Sequence, residues 1–583
     1  MKKTLFITVF TVFFALFASA CSLGKDKAEN KPAEALLPQN PLMIMAVDYS
    51  NKDQRKLLHN LIKTFPETNI KQVISEEMAK NSETLTYENL IAPYVSDDWK
   101  LLFAMKIPEN VEKIDQDAEI YVAGKFEKAD AFEGSMKTAL NDEYGEAILE
   151  EKKGAFTYWT NADDDLYIGR YGDVFWLTNS EANRDKAVKR LTDGGGFELK
   201  KELPDNLAYM YANYGDLVEL IKAIEEMEEN FEMADVGLMN AYLTGFGELY
   251  MYVQAEDKGI RTISDFEVKE SSFFDELYEG KDLSLVSKVP ANGTMMYFED
   301  VSFKQSVSMF GMSMQSAYLD ASKEPELNVS AEEIAEKFNE DFYEPLLETL
   351  AQSSSLSAAQ IDAKLDSPFA FGIYDTGQLV PGVVFYLDVT DSEGLTEIVD
   401  DFVDGVVKGM AQNLGGSMFS ADLIQRDIAV IDGTPLKKIY IDYSKLPEGT
   451  LDDFSTMVGT NLSAQKVELY YGPTNDDVFV IAFYPEFNDI YGEDVLEENA
   501  DYKAAISSLN GLGANLVYLD TAPILTYADT LFTFNEQLNA VTDEQKESFE
   551  KFKRWMGNID YVVSSNKFLD GKLEAEMFMR IGK

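Results

Sequence analysis

The order of strands and helices that begins after Leu37 starts again after Val289, and this repetition limits the fold more than any other feature of the chain. In the first pass, Leu37-Pro38-Gln39-Asn40 precedes an apolar run over 42–47 and an amphipathic helix over about 53–65. In the second pass, Val289-Pro290-Ala291-Asn292 precedes a run over 294–298 and a helix from Phe303. A repeat of this length indicates a duplicated unit rather than a solenoid of short period.

The later elements of the two halves correspond as well. After a short helix within 85–94, the first half predicts strands over 99–105, 118–124, 155–159, 166–170, 174–178, 207–212, 249–255 and 261–268, with helices over 130–140, 180–191 and 215–231. The second half predicts a helix near 356–361, strands over 369–374, 383–389, 436–443, 466–471, 478–483, 515–519, 560–564 and 572–579, and a helix over 393–414.

Runs of strands followed by single helices are typical of antiparallel sheets with one covered face. We therefore expect an α+β protein of two similar units, each a mostly antiparallel sheet with helices packed on one face. Ser271-Ser272 and Gly280-Lys281-Asp282 interrupt the pattern, so the units are predicted at 37–280 and 281–583.

The N-terminal 20 residues have the composition of a secretory signal. Lys2 and Lys3 form a positive start, and an uncharged, largely apolar run of 16 residues follows over 5–20. A membrane-spanning helix needs about 20 apolar residues, so we expect residues 1–20 to be removed as a signal peptide.

Cys21 is the single cysteine of the chain and follows Ala18-Ser19-Ala20. The sequence before it resembles a lipobox, after which the cysteine is acylated and becomes the new N-terminus. Ala18-Ser19-Ala20 is also an ordinary A-x-A cleavage site, which leaves an unlipidated secreted protein as the alternative. Residues 22–36 are rich in Lys, Glu, Ala and Asn, as in a flexible tether. We expect lipidation of Cys21, a tether over 21–36, and a folded part outside the cytoplasm, held by lipid to a bacterial membrane.

Charge and composition exclude several classes of partner. The net charge is −52, which repels nucleic acid and anionic lipid headgroups, so we expect the lipid rather than the protein surface to provide the membrane attachment. A hydrophobic fraction of 45% and an aromatic fraction of 12% indicate well-formed cores beneath the acidic surface. The acidity is explained either by solubility outside the cell or by a site for a cationic partner. One cysteine cannot form a disulfide within the chain, so packing must provide the stability.

The residues needed for common catalytic sites are scarce. His59 is the only histidine, and it falls off the apolar stripe of its helix, so we expect it to be solvated. The chain has no H-E-x-x-H, G-x-S-x-G or P-loop motif, and Gly194-Gly195-Gly196 and Gly511-Leu512-Gly513 lack the spacing of phosphate loops. We therefore assign no catalytic, cofactor-binding or metal-binding residues.

Three weaker features leave alternatives open. Paired carboxylates of the kind used in glycoside hydrolysis arise by chance among 103 acidic residues. Asp163-Asp164-Asp165 and Asn475-Asp476-Asp477 are calcium candidates, or simply acidic hairpin turns. Met309, Met312 and Met314 line either an adaptable groove or an ordinary core.

Several short motifs of the first half have a common order: Leu37-Pro38-Gln39-Asn40-Pro41 before the first strand, Phe65-Pro66, the helix, proline and strand of 85–105, 164–169 through Leu177-Thr178, and Leu203-Pro204. In these motifs the chain resembles the DUF3352 family of uncharacterised bacterial envelope proteins. The resemblance covers most of the mature chain, although Tyr94-Val95-Ser96 stands where family members often have Trp-Leu-Gly. The resemblance implies an envelope setting and an α+β fold, without an activity.

These features together predict a lipid-anchored protein of the cell envelope that is not an enzyme. Such a protein binds a ligand or partner, for instance a hydrophobic ligand or another envelope protein, or serves as a structural component. The alternative is an extracytoplasmic hydrolase that uses paired carboxylates. Two carboxylates in a cleft lined by aromatic residues would favour the hydrolase, whereas an enclosed apolar cavity would favour a carrier of hydrophobic ligands.

Overall fold

A computed structural model gives the structure of the chain. It describes residues 33–65, 99–108, 117–126, 128–144, 148–161, 166–217, 246–269, 283–291, 293–302, 304, 339–352, 355–376, 381–389, 392, 394–413, 424–431, 433–442, 467–474, 477–485, 487, 495–537, 541–569 and 571–582.

The chain is a mixed α and β protein with extensive antiparallel sheet, and it divides into two compact units. One unit comprises residues 1–232 and 246–267, and the other comprises residues 233–245 and 268–583. The predicted boundary at 280 lies outside the described residues.

The described residues of the first unit form ten strands, in the order β4-β5-β6-β7-β3-β2-β1-β8-β9-β10. Turn residues set several of the boundaries: Gly172 has φ 61°, which a tight hairpin turn needs, and Ser180 caps the helix that follows the last strand of this meander. The elements are β1 (Met43–Asp48), α1 (Lys52–Ile62), β2 (Trp99–Lys106), β3 (Glu119–Phe126), α2 (Ala129–Tyr144), β4 (Leu149–Lys153), β5 (Phe156–Asn161), β6 (Leu166–Tyr171), β7 (Val174–Thr178), α3 (Glu181–Asp193), β8 (Ala208–Asn213), β9 (Phe246–Glu256) and β10 (Gly259–Val268).

Ten strands are also formed by the part of the second unit that the structure describes, in the order β14-β15-β16-β17-β13-β12-β11-β18-β19-β20. Each strand number is ten higher than its counterpart in the first unit. The elements are β11 (Met295–Ser302), α4 (Glu344–Gln352), α5 (Ala358–Leu365), β12 (Pro368–Tyr374), β13 (Gly382–Asp388), α6 (Leu395–Asn413), β14 (Ile424–Ile431), β15 (Thr434–Ile441), β16 (Glu468–Pro473), β17 (Val478–Phe483), α7 (Ala500–Ser508), β18 (Asn515–Asp520), α8 (Thr521–Gln537), α9 (Asp543–Met556), β19 (Ile559–Leu569) and β20 (Lys572–Ile581).

Apolar side chains cover both faces of the first sheet. In β2, Leu102 and Ala104 pack in one cluster together with Leu191 of α3, whereas Leu101 and Phe103 pack on the opposite face in a cluster that includes Met136 of α2. The expectation that helices pack on one face is therefore wrong for this unit. The continuous apolar sequence of β2 is the physical reason, because a strand buried on both faces has no polar alternation.

The folded part begins earlier than residue 37. Residues 33–36 form a short 3-10 turn, and both Ala33 and Leu36 are buried in the first core. The last four residues of the predicted tether therefore belong to the fold, while residues 1–32, including Cys21, lie outside the described part. Within the described residues, no helix has the length and apolar character needed to cross a bilayer.

Candidate functional site

A cleft of about 430 Å³ opens at one end of the second sheet. Because neighbouring strands are antiparallel, the carboxyl ends of β12, β17 and β18 lie at this same end of the sheet, beside the amino ends of β11 and β13. The chain leaves the sheet at these points, so each strand end contributes side chains to the cleft. Its lining residues are Tyr374, Asp375, Tyr484, Asp520, Ala522, Pro523 and Thr526.

Two tyrosines form one wall of the cleft. The rings of Tyr374 and Tyr484 meet edge to face, with centroids 5.8 Å apart, and the Tyr374 hydroxyl lies 2.8 Å from that of the buried Tyr386. Gly382 makes room for this pair, since a Cβ there would lie 2.0 Å from Cδ2 of Tyr484. The tyrosine wall is thus fixed by packing and hydrogen bonding before any ligand arrives.

Two aspartates add negative charge to the same cleft. Asp375 follows β12, and its main-chain carbonyl accepts a hydrogen bond of 3.3 Å from the Tyr484 hydroxyl. Asp520 ends β18, where its main-chain N–H donates to the carbonyl of Thr294 and its Oδ1 accepts from the N–H of Ala522 at 2.9 Å. Main-chain contacts therefore hold both residues at the rim of the sheet.

The lining of the cleft favours a cationic ligand. Its seven residues include two carboxylates, two phenol rings and a threonine hydroxyl, and none of them is basic. Carboxylates attract a cation by charge, whereas the two tyrosine side chains, 1% and 8% exposed, offer it little ring surface. The cleft is not the enclosed apolar cavity expected of a carrier for hydrophobic ligands.

The corresponding end of the first sheet is filled by a network of charged and polar side chains. Glu119, at the start of β3, is buried and accepts from Arg190 at 2.6 Å and from Lys186 at 3.0 Å. Arg190 also donates to the hydroxyl of Tyr121, which donates in turn to the carbonyl of Asn183. Burial raises the pKa of the Glu119 carboxyl, but the hydrogen bonds and charges of Arg190 and Lys186 outweigh burial and place its pKa below the usual value.

His59 is half-buried rather than solvated, so that expectation is wrong. Its Nε2 lies 2.5 Å from the hydroxyl of Tyr49, whose ring stacks on Trp99 with centroids 5.3 Å apart. His59 comes one position after Leu58, which belongs to the apolar stripe of α1. Its partner Tyr49 comes from a different element, because it directly follows β1. A partner that comes from another element leaves no trace in helical periodicity.

The other residues singled out in the sequence fall mostly outside the described part of the chain. This applies to Cys21, to Asp163-Asp164-Asp165, to Met309, Met312 and Met314, and to Asn475 and Asp476. Asp477 is described and adopts φ 57°, the conformation of a tight turn. The described residues contain no cluster of three or more potential metal ligands among His, Cys, Asp and Glu.

Sequence reasoning did not single out the residues of the cleft. The sequence did contain one indication of the cleft, which is the position of its two aspartates at strand ends. Asp375 directly follows the predicted strand 369–374, and Asp520 directly follows the predicted strand 515–519. The tyrosines gave no signal, since the chain has 30 and most of the aromatic residues were expected in cores.

Comparisons with known proteins give limited information. No protein-family model matches the chain, and no curated protein sequence matches it. Among solved structures, crystal form I of TP0453 is similar over 42% of this chain and 81% of that one, with 9% identity and a TM-score of 0.24. Crystal form IV of TP0453 is similar over 40% of this chain and 80% of that one, with 10% identity and a TM-score of 0.24.

Proposed function

We propose that this chain is a lipid-anchored protein of the bacterial cell envelope, built from two units related by duplication, whose second unit binds a small cationic ligand. The lipid is carried by Cys21, and the folded part lies outside the cytoplasm. The protein binds its ligand without catalysing a reaction.

The observation that carries this proposal is the cleft formed by Tyr374, Tyr484, Asp375 and Asp520. The two carboxylates share one concave surface with two nearly inaccessible tyrosines, and this surface suits an amine whose charge pairs with the aspartates. A calcium ion suits the cleft less well, because calcium takes six to eight oxygen ligands.

The strand orders support the duplication. In both units the first strand lies between the second and the eighth strands, and in both the ninth and tenth strands form a hairpin of long strands at one end of the strand order. The same set of pairings in two consecutive segments is most simply explained by duplication of one unit.

Titration calorimetry with spermidine as the probe tests the cleft. The double variant Asp375→Asn/Asp520→Asn is expected to weaken binding at least tenfold, which corresponds to about 1.4 kcal/mol. The matched control is Asp427→Asn/Asp501→Asn, which removes the same charge from exposed positions of the same unit. If both variants lose the same affinity for spermidine, binding depends only on the net charge of the protein, and the proposed site is rejected.

Membrane fractionation tests the anchor separately. Cys21→Ser removes the acylated side chain, so the variant is expected in the soluble fraction while the unmodified chain stays with membranes. Retention of the variant by membranes after a high-salt wash would contradict the anchor without affecting the cleft.

A carboxylate-based hydrolase is the second candidate, because one cleft holds two carboxylates and two aromatic residues. Release of reducing sugar from bacterial envelope glycans by the unmodified chain, lost in either single Asp→Asn variant of Asp375 or Asp520, would favour the hydrolase over the binding protein.

A further inference from the structure

The side chains that line the cleft of the second unit accept hydrogen bonds far more readily than they donate them. Asp375 and Asp520 contribute carboxylates, which have no proton to donate. A carboxylate has lone pairs for about four hydrogen bonds, so contacts with the protein and contacts with a ligand can coexist on it. The charged part of the cleft therefore favours a ligand that brings hydrogen-bond donors.

Two hydroxyl groups of the lining have already used their protons within the protein. Thr526 donates to the main-chain carbonyl of Ala522 at 3.1 Å, and Tyr484 donates to that of Asp375 at 3.3 Å. A hydroxyl that has donated its single proton still has lone pairs. Thr526 and Tyr484 therefore add acceptors to the cleft and no donors.

The start of α8 also lacks the donors that a helix usually offers there. The N–H groups of a first helical turn normally have no partner within the helix, and they attract anions. Here the N–H of Ala522 donates to the carboxylate of Asp520 at 2.9 Å, and Pro523 has no N–H. Both residues line the cleft, so this side of it is unsuited to an anion.

The aromatic residues of the cleft are poorly placed to bind a quaternary ammonium ion. Such an ion has no N–H and is recognised chiefly by open aromatic faces. Tyr374 and Tyr484 are both buried, and the hydroxyl of Tyr374 lies 2.8 Å from that of the fully buried Tyr386. Charge alone would have to hold a quaternary ion here.

We propose that the ligand of this cleft carries a primary ammonium group, and that the cleft selects it over a quaternary ammonium ion of the same charge. A primary ammonium group has three N–H donors, and the cleft offers acceptors on Asp375, Asp520 and Thr526. A quaternary ion leaves these acceptors without donors, and a site built for N–H groups rejects an analogue that lacks them. This inference rests on the proposed binding function and specifies its class of ligand.

Titration calorimetry of the full chain with probes of equal charge tests the selection. Putrescine carries two primary ammonium groups, and its fully N-methylated analogue carries two quaternary ones on the same carbon chain. We expect putrescine to bind at least tenfold more tightly, which corresponds to about 1.4 kcal/mol. An analogue with two methyl groups on each nitrogen is nearly as bulky but keeps one N–H per nitrogen, so its affinity is expected between the other two.

Thr526→Val replaces the hydroxyl with a methyl group and tests its role as an acceptor. We expect putrescine to bind at least threefold more weakly, because the hydroxyl bonds a charged donor, and the fully methylated analogue to bind as before. Thr530→Val is the matched control. Thr530 makes the same hydrogen bond within α8, to the carbonyl of Thr526 at 3.1 Å, but is not among the residues that line the cleft.

The outcomes separate this inference from the proposed function. Equal affinities for putrescine and its fully methylated analogue would overturn the inference and leave the binding site in place. A dimethyl analogue as weak as the fully methylated one would also overturn it, since size would explain the selection, and so would equal losses in Thr526→Val and Thr530→Val. If putrescine does not bind, or if its binding survives Asp375→Asn/Asp520→Asn, the proposed function fails and the inference fails with it.

Discussion

The same end of the sheet is used differently in the two units. In the first unit, the start of β3 carries Glu119, which is buried against Arg190 and Lys186 of α3. In the second unit, the start of β13 carries Gly382, and the space above it accommodates Tyr484 at the wall of a cleft. One strand order therefore supports a closed end in one unit and an open end in the other.

The two sheet ends differ in the connection that follows the seventh strand of each unit. In the first unit, α3 follows β7 after two residues and covers the sheet end with polar side chains. In the second unit, residues 484–499 separate β17 from α7, and Tyr484 at the start of this connection lines the cleft. The connection after the seventh strand therefore differs between the two sheet ends.

The largest expected effect concerns the closed end. Glu119→Ala leaves Arg190 and Lys186 beside a buried space without their carboxylate, and removal of one partner from such a pair costs about 3 kcal/mol of unfolding free energy. Urea unfolding followed by tryptophan fluorescence measures this effect, because Trp99, Trp159 and Trp176 all lie in the first unit.

The matched control for this change is Glu151→Ala. The carboxylate of Glu151 is 55% exposed and pairs with Lys153 at the surface, so its loss should cost less than about 1 kcal/mol. Equal costs for the two variants would show that the Glu119 network contributes no more than an ordinary surface pair.

The next effect concerns the open end. In Gly382→Ala the new methyl group would overlap the ring of Tyr484, so the ring must move and the cleft must change shape. We expect a destabilisation of about 1–3 kcal/mol together with weaker spermidine binding. The control Gly134→Ala places a methyl group in open space on α2, where it should stabilise the helix by about 0.5–1 kcal/mol. Unchanged spermidine affinity in Gly382→Ala would remove Tyr484 from the proposed site.

The smallest expected effect is a dependence of stability on pH in the first unit. The folded pKa of Glu119 lies below its unfolded value of about 4.5, despite burial, because of Arg190 and Lys186. The carboxylate therefore stabilises the fold above the unfolded pKa, and this contribution is lost as the pH falls through the folded pKa. The unfolding free energy of the unmodified chain should drop more steeply below pH 4.5 than that of Glu119→Gln. Parallel curves would contradict the assignment.

Apolar periodicity located most of the described strands. The run predicted over 478–483 coincides with β17, and those predicted over 99–105 and 118–124 lie within two residues of β2 and β3. These strands are buried and rich in branched and aromatic residues, so local composition and tertiary packing favour the same structure. The edge strand β4 went unpredicted because its sequence, Leu-Glu-Glu-Lys-Lys, is exposed throughout and has no apolar face.

The cleft and the helices around it could not be predicted in this way. Helix α8 starts directly after Asp520, the last residue of β18, so strand and helix follow each other with no turn residues between them. Tyr374 and Tyr484 are both buried, and only their positions at strand ends distinguish them from the other core tyrosines. Contacts between strand ends that are distant in sequence define this site, and periodicity within a segment does not report them.

The number of spermidine molecules bound per chain tests the central comparison most directly. If the second unit is open and the first is closed, titration calorimetry of the unmodified chain will give a stoichiometry of one, and Asp375→Asn/Asp520→Asn will remove that site. Two equivalent sites per chain, or one site that survives the double variant, would contradict this account.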